Sequence, residues 1–226
     1  MSGVRGRSAA LVPAAGAGTR LGRGPKAFVR LGAATLLEHS VAALHGAVDE
    51  VIVAVPRGYE AEASALVAGR AQVVTGAATR QATVLALLRA TTAEVVLVHD
   101  AARPFLPRVV VERVLAAVAT SGAATAALPV ADTIVSTADG TTLPREDLRA
   151  VQTPQGFGRE LLLTAHEAAL AAGVEATDDA ALVRRLGVRV SIVEGSTFLH
   201  KVTTADDLLL GLALLALWQG EEQTVL

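Results

Sequence analysis

The stretch of the sequence best suited to holding a charged ligand is residues 8–28, SAALVPAAGAGTRLGRGPKAF. The apolar run over 9–12 predicts a buried strand. The small residues from Ala14 to Gly18 would let backbone N–H groups approach an anion closely. Arg20 and Lys26 would then supply positive charge. This order of residues predicts a loop that binds phosphate groups.

The two best-known phosphate loops do not fit this stretch. Gly16 and Gly18 match the first two glycines of the dinucleotide fingerprint, but Leu21 stands at the third position. Pro56-Arg57, rather than a ribose-binding acid, follows the second apolar run. A Walker A loop needs glycine before its lysine and serine or threonine after it, and neither flanks Lys26. For the loop taken alone, a glycine-rich turn with surface cations is the alternative.

Lysine is used sparingly in this chain. Only Lys26 and Lys201 occur among the 20 basic residues, so arginine serves almost everywhere else. An ammonium group has rotatable donors and can follow a phosphate oxygen as its geometry changes, whereas a guanidinium favours one fixed bidentate pose. We therefore expect both lysines to contact phosphate, with chance survival in an arginine-rich composition as the alternative.

Composition limits the class of protein. A chain of 226 residues favours one domain, and a net charge of -2 with a pI near 6.2 argues against binding nucleic acid. The sequence has no cysteine, which excludes disulfides, thiolate metal sites and a cysteine nucleophile. The apolar stretch over 208–218 is shorter than the roughly 20 residues that cross a bilayer. We expect a soluble cytoplasmic protein without a membrane partner.

The elements that must position these residues alternate between strand and helix. Thr35 and Glu38 have the spacing of a capping box and open the first helix. This alternation predicts an α/β fold with a mostly parallel, twisted sheet and helices on both faces. The predicted strands are 9–12, 51–55, 72–74, 94–98, 123–128 and 188–193. The predicted helices are 35–44, 59–68, 81–90, 107–120, 161–171, 177–186 and 204–218, with a loose tail over 219–226.

This fold would bring three loops together. The loops over 14–18, 75–80 and 99–104 each follow a predicted strand, and ligands of open parallel sheets collect beyond the carboxyl ends of the strands. The third loop contains His99 and Asp100. A carboxylate such as Asp100 could bind Mg²⁺ on a triphosphate.

Residues 130–153 interrupt the alternation. The segment 132–137 has a strand pattern, 138–140 reads as a turn, and 149–152 could pair back. We expect a projecting β-arm within a single domain over residues 1–226. Because a projecting hairpin cannot bury both faces alone, packing against a second copy of the chain is the simplest explanation.

Several motifs, in this order, carry a resemblance to a known family. They are the loop 14–20 with Pro25-Lys26, the segment HDAARP over 99–104, and Lys201-Val202-Thr203. QTPQGF over 152–157 and the positions Gly76, Arg80 and Thr83 add to it. The chain resembles the 2-C-methyl-D-erythritol 4-phosphate cytidylyltransferases of the non-mevalonate isoprenoid pathway, over about residues 9–212. The resemblance implies a Rossmann-like nucleotidyltransferase fold.

The same resemblance implies a reaction and a set of residues. CTP and 2-C-methyl-D-erythritol 4-phosphate would give 4-diphosphocytidyl-2-C-methylerythritol and pyrophosphate, with Mg²⁺ or another divalent cation near Asp100. The implied catalytic residues are Arg20, Lys26 and Lys201. The implied nucleotide-binding residues are Ala14, Ala15, Gly16, Gly18, Gly76, Arg80, Thr83 and Asp100. The implied acceptor-binding residues are Arg103, Thr133, Arg145, Thr153 and Thr203.

Thr133 and Arg145 lie in the β-arm, which in this family crosses to the partner subunit of a homodimer. Five positions depart from the family pattern: Ala27, Thr83, Leu199, His200 and Arg149, of which Thr83 keeps the hydroxyl of the usual serine.

Three alternative functions remain open from the residues. A cytidylyltransferase for ribitol 5-phosphate or another polyol phosphate would share the CTP-binding half. A guanylyl- or uridylyltransferase would share the first loop. A nucleotide-binding module without catalysis is the alternative outside the enzymes.

Overall fold

The computed structural model describes residues 6–16, 18, 21–22 and 24–224. Arg20 lies outside the described residues. In chain order the strands are β1 (Ser8–Pro13), β2 (Arg30–Leu31), β3 (Ala34–Thr35), β4 (Glu50–Val55), β5 (Gln72–Thr75), β6 (Val95–Val98), β7 (Ala123–Pro129), β8 (Ile134–Val135), β9 (Thr142–Leu143), β10 (Arg149–Gly158) and β11 (Ser191–Glu194).

The described helices follow the predicted alternation closely. They are α1 (Leu36–Leu44), α2 (Glu60–Val67), α3 (Arg80–Arg89), α4 (Arg108–Ser121), α5 (Arg159–Ala171), α6 (Asp179–Arg185) and α7 (Ala205–Thr224), with short 3-10 helices at Lys26–Phe28 and Arg145–Asp147. The capping box predicted at the start of α1 is confirmed, because the Thr35 hydroxyl accepts from the Glu38 N–H and the Glu38 carboxylate accepts from the Thr35 N–H.

A central sheet of seven strands has the order β11-β7-β10-β6-β1-β4-β5. All neighbouring pairs are parallel except the two that involve β10, which is antiparallel to β6 and β7. The mostly parallel α/β sheet is therefore confirmed. The second part of β10, residues 153–158, was not predicted as a strand, because Pro154, Gly156 and Gly158 are uncommon in a central strand.

Helices cover both faces of the sheet, as predicted. In β1, Ala10 and Val12 point to a core shared with α1, α2 and α4, whereas Ala9 and Leu11 point to a second core shared with α3, α5 and α6. The alternation follows from the two-residue period of a strand. All four side chains are fully buried, which fits a strand with helices on both sides.

The last described residues are helical, contrary to the prediction. Helix α7 continues to Thr224, so the loose tail expected from residue 219 is wrong for 219–224. Trp218 lies 5.9 Å from Phe105 and 5.4 Å from Phe198 between ring centroids. These contacts hold α7 against the body of the protein at Trp218. Among the described helices, none has the length and apolar character needed to cross a membrane.

The β-arm segment differs from the prediction in its pairing. The predicted strand over 132–137 shrinks to β8, and its partner is β9 rather than 149–152. Residues 149–151 do pair back, but onto β7, where Arg149 lies opposite Pro129. The side chains of Ile134, Val135 and Leu143 are exposed. Within this chain the hairpin therefore leaves apolar side chains in solvent.

Candidate active site

A cavity of about 310 Å³ lies at the carboxyl edge of the parallel strands. The loops after β1, β5 and β6 and the segment before α7 contribute its walls, as the fold predicts. Ten of the predicted site residues line it: Ala14, Ala15, Gly16, Gly18, Lys26, Arg80, Thr83, Asp100, Lys201 and Thr203. Residues more than 170 positions apart in the sequence therefore face one space.

The first wall is the glycine-rich loop. Gly18 has φ +67°, and a Cβ built there would lie 2.3 Å from the Gly24 carbonyl oxygen and 2.8 Å from the Lys26 nitrogen. Only glycine fits this close approach. The loop then places Lys26 at the start of a 3-10 helix, where it lines the cavity.

The second wall is the loop before α3, which the Thr83 side chain braces. Its hydroxyl accepts from the Ala77 N–H at 3.0 Å and lies 2.8 Å from the Thr79 carbonyl oxygen, to which it can donate. Gly76 does not line the cavity but packs beneath it. A Cβ on Gly76 would lie 2.4 Å from the Ala15 Cβ, so glycine lets the two loops touch.

Asp100 follows β6 and joins the cationic side chains of the site. Its Oδ2 accepts from Lys201 Nζ at 2.7 Å, and its Oδ1 accepts from Arg80 Nε at 3.3 Å. Burial by itself would raise the pKa of Asp100, but Arg80 and Lys201 outweigh burial and hold this pKa well below its usual range. Asp100 is therefore ionised at neutral pH.

His99 and Thr153 fix the backbone at Asp100. The Thr153 Oγ1 accepts from the Asp100 N–H at 3.1 Å and lies 3.2 Å from His99 Nδ1, while His99 Nε2 lies 3.0 Å from the Arg103 carbonyl oxygen. Burial lowers the pKa of His99 to about 4. A neutral imidazole that donates from Nε2 and accepts at Nδ1 satisfies this arrangement. His99 therefore packs beside the loop as a buried, neutral side chain.

Arg103 and Thr153, predicted to bind the acceptor, do not line the cavity in the described structure. The guanidinium of Arg103 donates to the carbonyl oxygens of Leu199 and Val151. The Thr153 hydroxyl contacts His99 and Asp100, as described above. In this structure both side chains therefore connect site loops to each other, and an acceptor contact by either stays a prediction.

The departures from the family pattern are accommodated locally. Leu199 is fully buried and offers Arg103 its backbone oxygen, which any residue could supply. Ala27 is also buried. Arg149 stays exposed and donates to the carbonyl oxygens of Glu146 and Leu148. His200 Nε2 lies 3.4 Å from Asp207 Oδ1 near the start of α7.

One acidic residue close to the site was missed from the sequence. Asp179 Oδ2 lies 2.8 Å from Arg80 Nη2, so this guanidinium bridges the carboxylates of Asp100 and Asp179. Burial alone would lower the pKa of Arg80, but the two carboxylates raise it. The adjacent acids Asp178 and Asp179 look alike in the sequence, and only the structure shows that Asp178 caps α6 while Asp179 contacts Arg80.

Thr133 and Arg145 lie away from the cavity of this chain. Thr133 is exposed, and Arg145 is exposed with its guanidinium donating to the Ala131 carbonyl oxygen at 2.9 Å. Both belong to the β-arm, residues 130–153. The single chain therefore does not bring these two predicted residues to its own site.

The residues around Asp100 suit a divalent cation that is bound mainly by a ligand. Among the described residues, there is no cluster of three or more acidic, histidine or cysteine side chains that could hold a metal. Asp100 lines the cavity and is ionised, and Mg²⁺ in nucleotide sites is commonly bound by one or two carboxylates together with phosphate oxygens. Asp100 therefore suits the role of a single protein ligand to such a cation, either in direct contact or through a water molecule.

Comparison with known proteins agrees with this geometry. The family model described as IspD, 2-C-methyl-D-erythritol 4-phosphate cytidylyltransferase, matches residues 8–216. The protein of that name from Deinococcus radiodurans is 56% identical over 211 residues, which cover 92% of this chain and 89% of that protein. The one from Thermus thermophilus is 49% identical over 213 residues, covering 93% of this chain and 98% of its own.

Solved structures give the same result. The crystal structure of the Thermus thermophilus enzyme matches with a TM-score of 0.82 and 46% identity, covering 92% of this chain and 98% of that one. A 4-diphosphocytidyl-2C-methyl-D-erythritol synthase from Anaerococcus prevotii matches with a TM-score of 0.82 at 26% identity, covering 93% of this chain and 99% of its own. The resemblance predicted from the motifs is confirmed, and the chain belongs to the 2-C-methyl-D-erythritol 4-phosphate cytidylyltransferase family.

Proposed function

We propose that this protein transfers the cytidylyl group of CTP to 2-C-methyl-D-erythritol 4-phosphate and releases pyrophosphate. The observation that carries the proposal is the cavity itself, which Lys26 lines and in which Arg80 and Lys201 both contact Asp100. Three cationic side chains against one carboxylate suit a polyanionic ligand better than a neutral one. The nucleotide-binding roles of these residues are part of the proposal.

For this reaction the protein needs mainly to position the two substrates and to neutralise charge on the phosphates. A phosphate oxygen of the acceptor attacks the α-phosphorus in line, one P–O bond forms, and the bond to pyrophosphate breaks with its electron pair leaving on the pyrophosphate. The attacking oxygen is already anionic near neutral pH, so no side-chain base is needed. Lys26 and Lys201 would neutralise charge that develops on the phosphates, together with Arg20 from the same loop.

We propose Asp100 as the residue nearest a bound Mg²⁺. The cation would neutralise charge on the triphosphate and on the pyrophosphate leaving group. Asp100 Oδ2 also faces the ammonium of Lys201, so the carboxylate would hold this lysine in place whether or not the cation is present.

We further propose that the enzyme is a homodimer in which the β-arm, residues 130–153, reaches the partner. The arm exposes Ile134, Val135 and Leu143, apolar side chains that a second copy would bury. Thr133 and Arg145, which lie away from this chain's cavity, would then bind the acceptor in the partner's site. The rest of the chain would form one nucleotidyltransferase domain, and a cysteine-free enzyme that uses CTP fits the cytoplasm.

The test is pyrophosphate release from CTP and Mg²⁺ with either 2-C-methyl-D-erythritol 4-phosphate or ribitol 5-phosphate at equal concentration. We expect release with methylerythritol phosphate alone. Release with ribitol phosphate alone would support cytidylyl transfer to a different acceptor. No release with either acceptor would favour a nucleotide-binding module without catalysis. Competition for binding is the nucleotide control, because tighter binding of GTP or UTP than of CTP would overturn the base assignment.

A further inference from the structure

A line of ionic contacts leads from the cavity into the protein interior. Lys201 contacts Asp100, Asp100 contacts Arg80, and Arg80 contacts Asp179, over distances of 2.7, 3.3 and 2.8 Å. Asp179 then contacts His166, whose Nε2 lies 3.0 Å from Asp179 Oδ1. The side chains of Asp179 and His166 are 1% and 0% exposed, so the line ends inside the protein.

The two innermost residues of this line, Asp179 and His166, do not reach the described cavity. Asp179 and His166 are absent from the residues that line it, whereas Arg80 belongs to them. His166 lies on α5, on the helix side of the sheet that α3 and α6 also cover. Among the described residues, polar contacts connect His166 to the nucleotide cavity through Asp179 and then Arg80.

The backbone at Asp179 is held independently of His166. The Gln155 side-chain oxygen accepts from the N–H groups of Asp179 and Ala180, both at 3.1 Å, and Asp178 caps the helix through the Ala181 N–H at 2.8 Å. The start of α6 would therefore stay in place without His166. What His166 controls is the orientation of one carboxylate.

That orientation matters because Arg80 is shared between two carboxylates. Asp179 Oδ2 forms an ion pair with Arg80, but among the described residues it has no hydrogen bond of standard geometry. Asp179 Oδ1 contacts Nε2 of His166. If the imidazole were removed, Oδ1 would be a buried acceptor without its donor, and the carboxylate would gain by turning both oxygens toward Arg80. Arg80 would then be drawn away from Asp100 and the cavity.

We propose that His166 is a positioning residue for the nucleotide site, which holds the Asp179 carboxylate so that Arg80 stays turned toward the ligand. The inference rests on the proposed contact of Arg80 with the nucleotide. The proton on the imidazole belongs on Nε2, because Oδ1 of Asp179 is an acceptor, while Nδ1 has no hydrogen-bond partner among the described residues.

The test compares His166→Leu, which removes the donor, with His166→Gln, whose amide nitrogen can reach the position of Nε2. Calorimetry with CTP and the kinetic constants for CTP and acceptor are the measurements. We expect His166→Leu to weaken CTP binding about fivefold with the KM for the acceptor unchanged, and His166→Gln to recover most of the loss. Leu162→Ala, a buried change on the same helix, is the control for general destabilisation and should leave the CTP affinity unchanged.

A double variant separates this inference from the function beneath it. If His166 acts through Arg80, adding His166→Leu to Arg80→Ala should weaken CTP binding no further than Arg80→Ala alone. Additive losses would overturn the positioning role. Normal CTP affinity in Arg80→Ala would overturn both the proposed nucleotide contact and the inference. Weaker CTP binding in Arg80→Ala with normal CTP binding in His166→Leu would overturn the inference alone.

Should His166→Leu not fold, His166→Asn against His166→Gln decides the question. The asparagine amide is too short to reach Asp179, so the asparagine variant should bind CTP more weakly than the glutamine variant. Equal CTP affinity in the two would overturn the proposal.

Discussion

Lys201 Nζ lies 2.7 Å from Asp100 Oδ2, although 101 residues separate them in the sequence. The Asp100 side chain is 12% exposed and that of Lys201 is 42% exposed, so the lysine keeps an open side toward the cavity. This pair joins the loop after β6 to the segment before α7. The backbone supports it, because the Val202 N–H donates to the Ala102 carbonyl oxygen at 2.9 Å.

We predict that Lys26→Ala lowers turnover by at least tenfold, which is about 1.4 kcal/mol of barrier. Lys26 lines the cavity beside the glycine-rich loop, and its ammonium would neutralise charge on the phosphates. The measurement is steady-state pyrophosphate release, with thermal unfolding to show that the variant is folded. Arg57→Ala removes an exposed cation away from the cavity and serves as the control. Wild-type turnover in Lys26→Ala would exclude this lysine from the reaction.

We predict that Gly76→Ala weakens CTP binding at least tenfold and lowers the free energy of unfolding by about 1–3 kcal/mol. The new Cβ would lie 2.4 Å from the Ala15 Cβ and 3.3 Å from the Val55 carbonyl oxygen, so the phosphate loop must shift. Calorimetry and urea unfolding measure the two effects. Gly158→Ala is the matched control, because its Cβ would lie 4.0 Å from the nearest such atom. Equal effects in the two variants would contradict a specific contact between the loops.

We predict partial recovery of activity when Arg145→Ala and Lys26→Ala subunits are mixed. If the β-arm completes the partner's site, one of the two sites in a mixed dimer has both residues intact. The two variants carry different affinity tags, and pyrophosphate release is measured on the purified mixed dimers. Each variant alone is the control. Inactive mixed dimers would contradict the crossing arm.

We predict that His99 makes the free energy of unfolding depend on pH between about pH 6.5 and 4. The folded pKa of His99 is about 4, against 6.5 for the free side chain, so in this window the unfolded chain binds more protons and stability falls as the pH falls. From pH 7 to pH 5 the loss due to His99 is about 2 kcal/mol.

Urea unfolding of the wild type and of His99→Gln at pH 7 and pH 5 measures the contribution of His99 to the free energy of unfolding. Glutamine does not titrate, so its variant should lose less stability over the same interval, and the difference between the two proteins isolates His99 from the carboxylates. Parallel loss in both proteins would show that the folded pKa of His99 is not lowered.

Much of the fold could be predicted from the sequence because the signals are local. Continuous apolar runs such as 51–55 gave the parallel strands, and the spacing of Thr35 and Glu38 gave the start of α1. The loops that line the cavity follow those strands, so the order of elements was enough to predict that 14–18, 75–80 and 99–104 would meet.

The position of β10 could not be predicted in this way. Gln155 and Thr153 are buried polar residues on a strand between β6 and β7, and a local reading takes such residues as a loop. Their burial is stable because distant partners satisfy them, Thr125 and Asp178 for Gln155 and His99 for Thr153.

The sequence by itself determined the alternation of strands and helices, the loops of the site and the family. Only the tertiary structure decided how each charged side chain is used: Arg80 bridges Asp100 and Asp179, and Thr153 holds the Asp100 backbone. The physical reason is that strand and helix signals depend on neighbours in the chain. The contact made by a buried charge or hydroxyl depends instead on which partner the fold brings within about 3 Å.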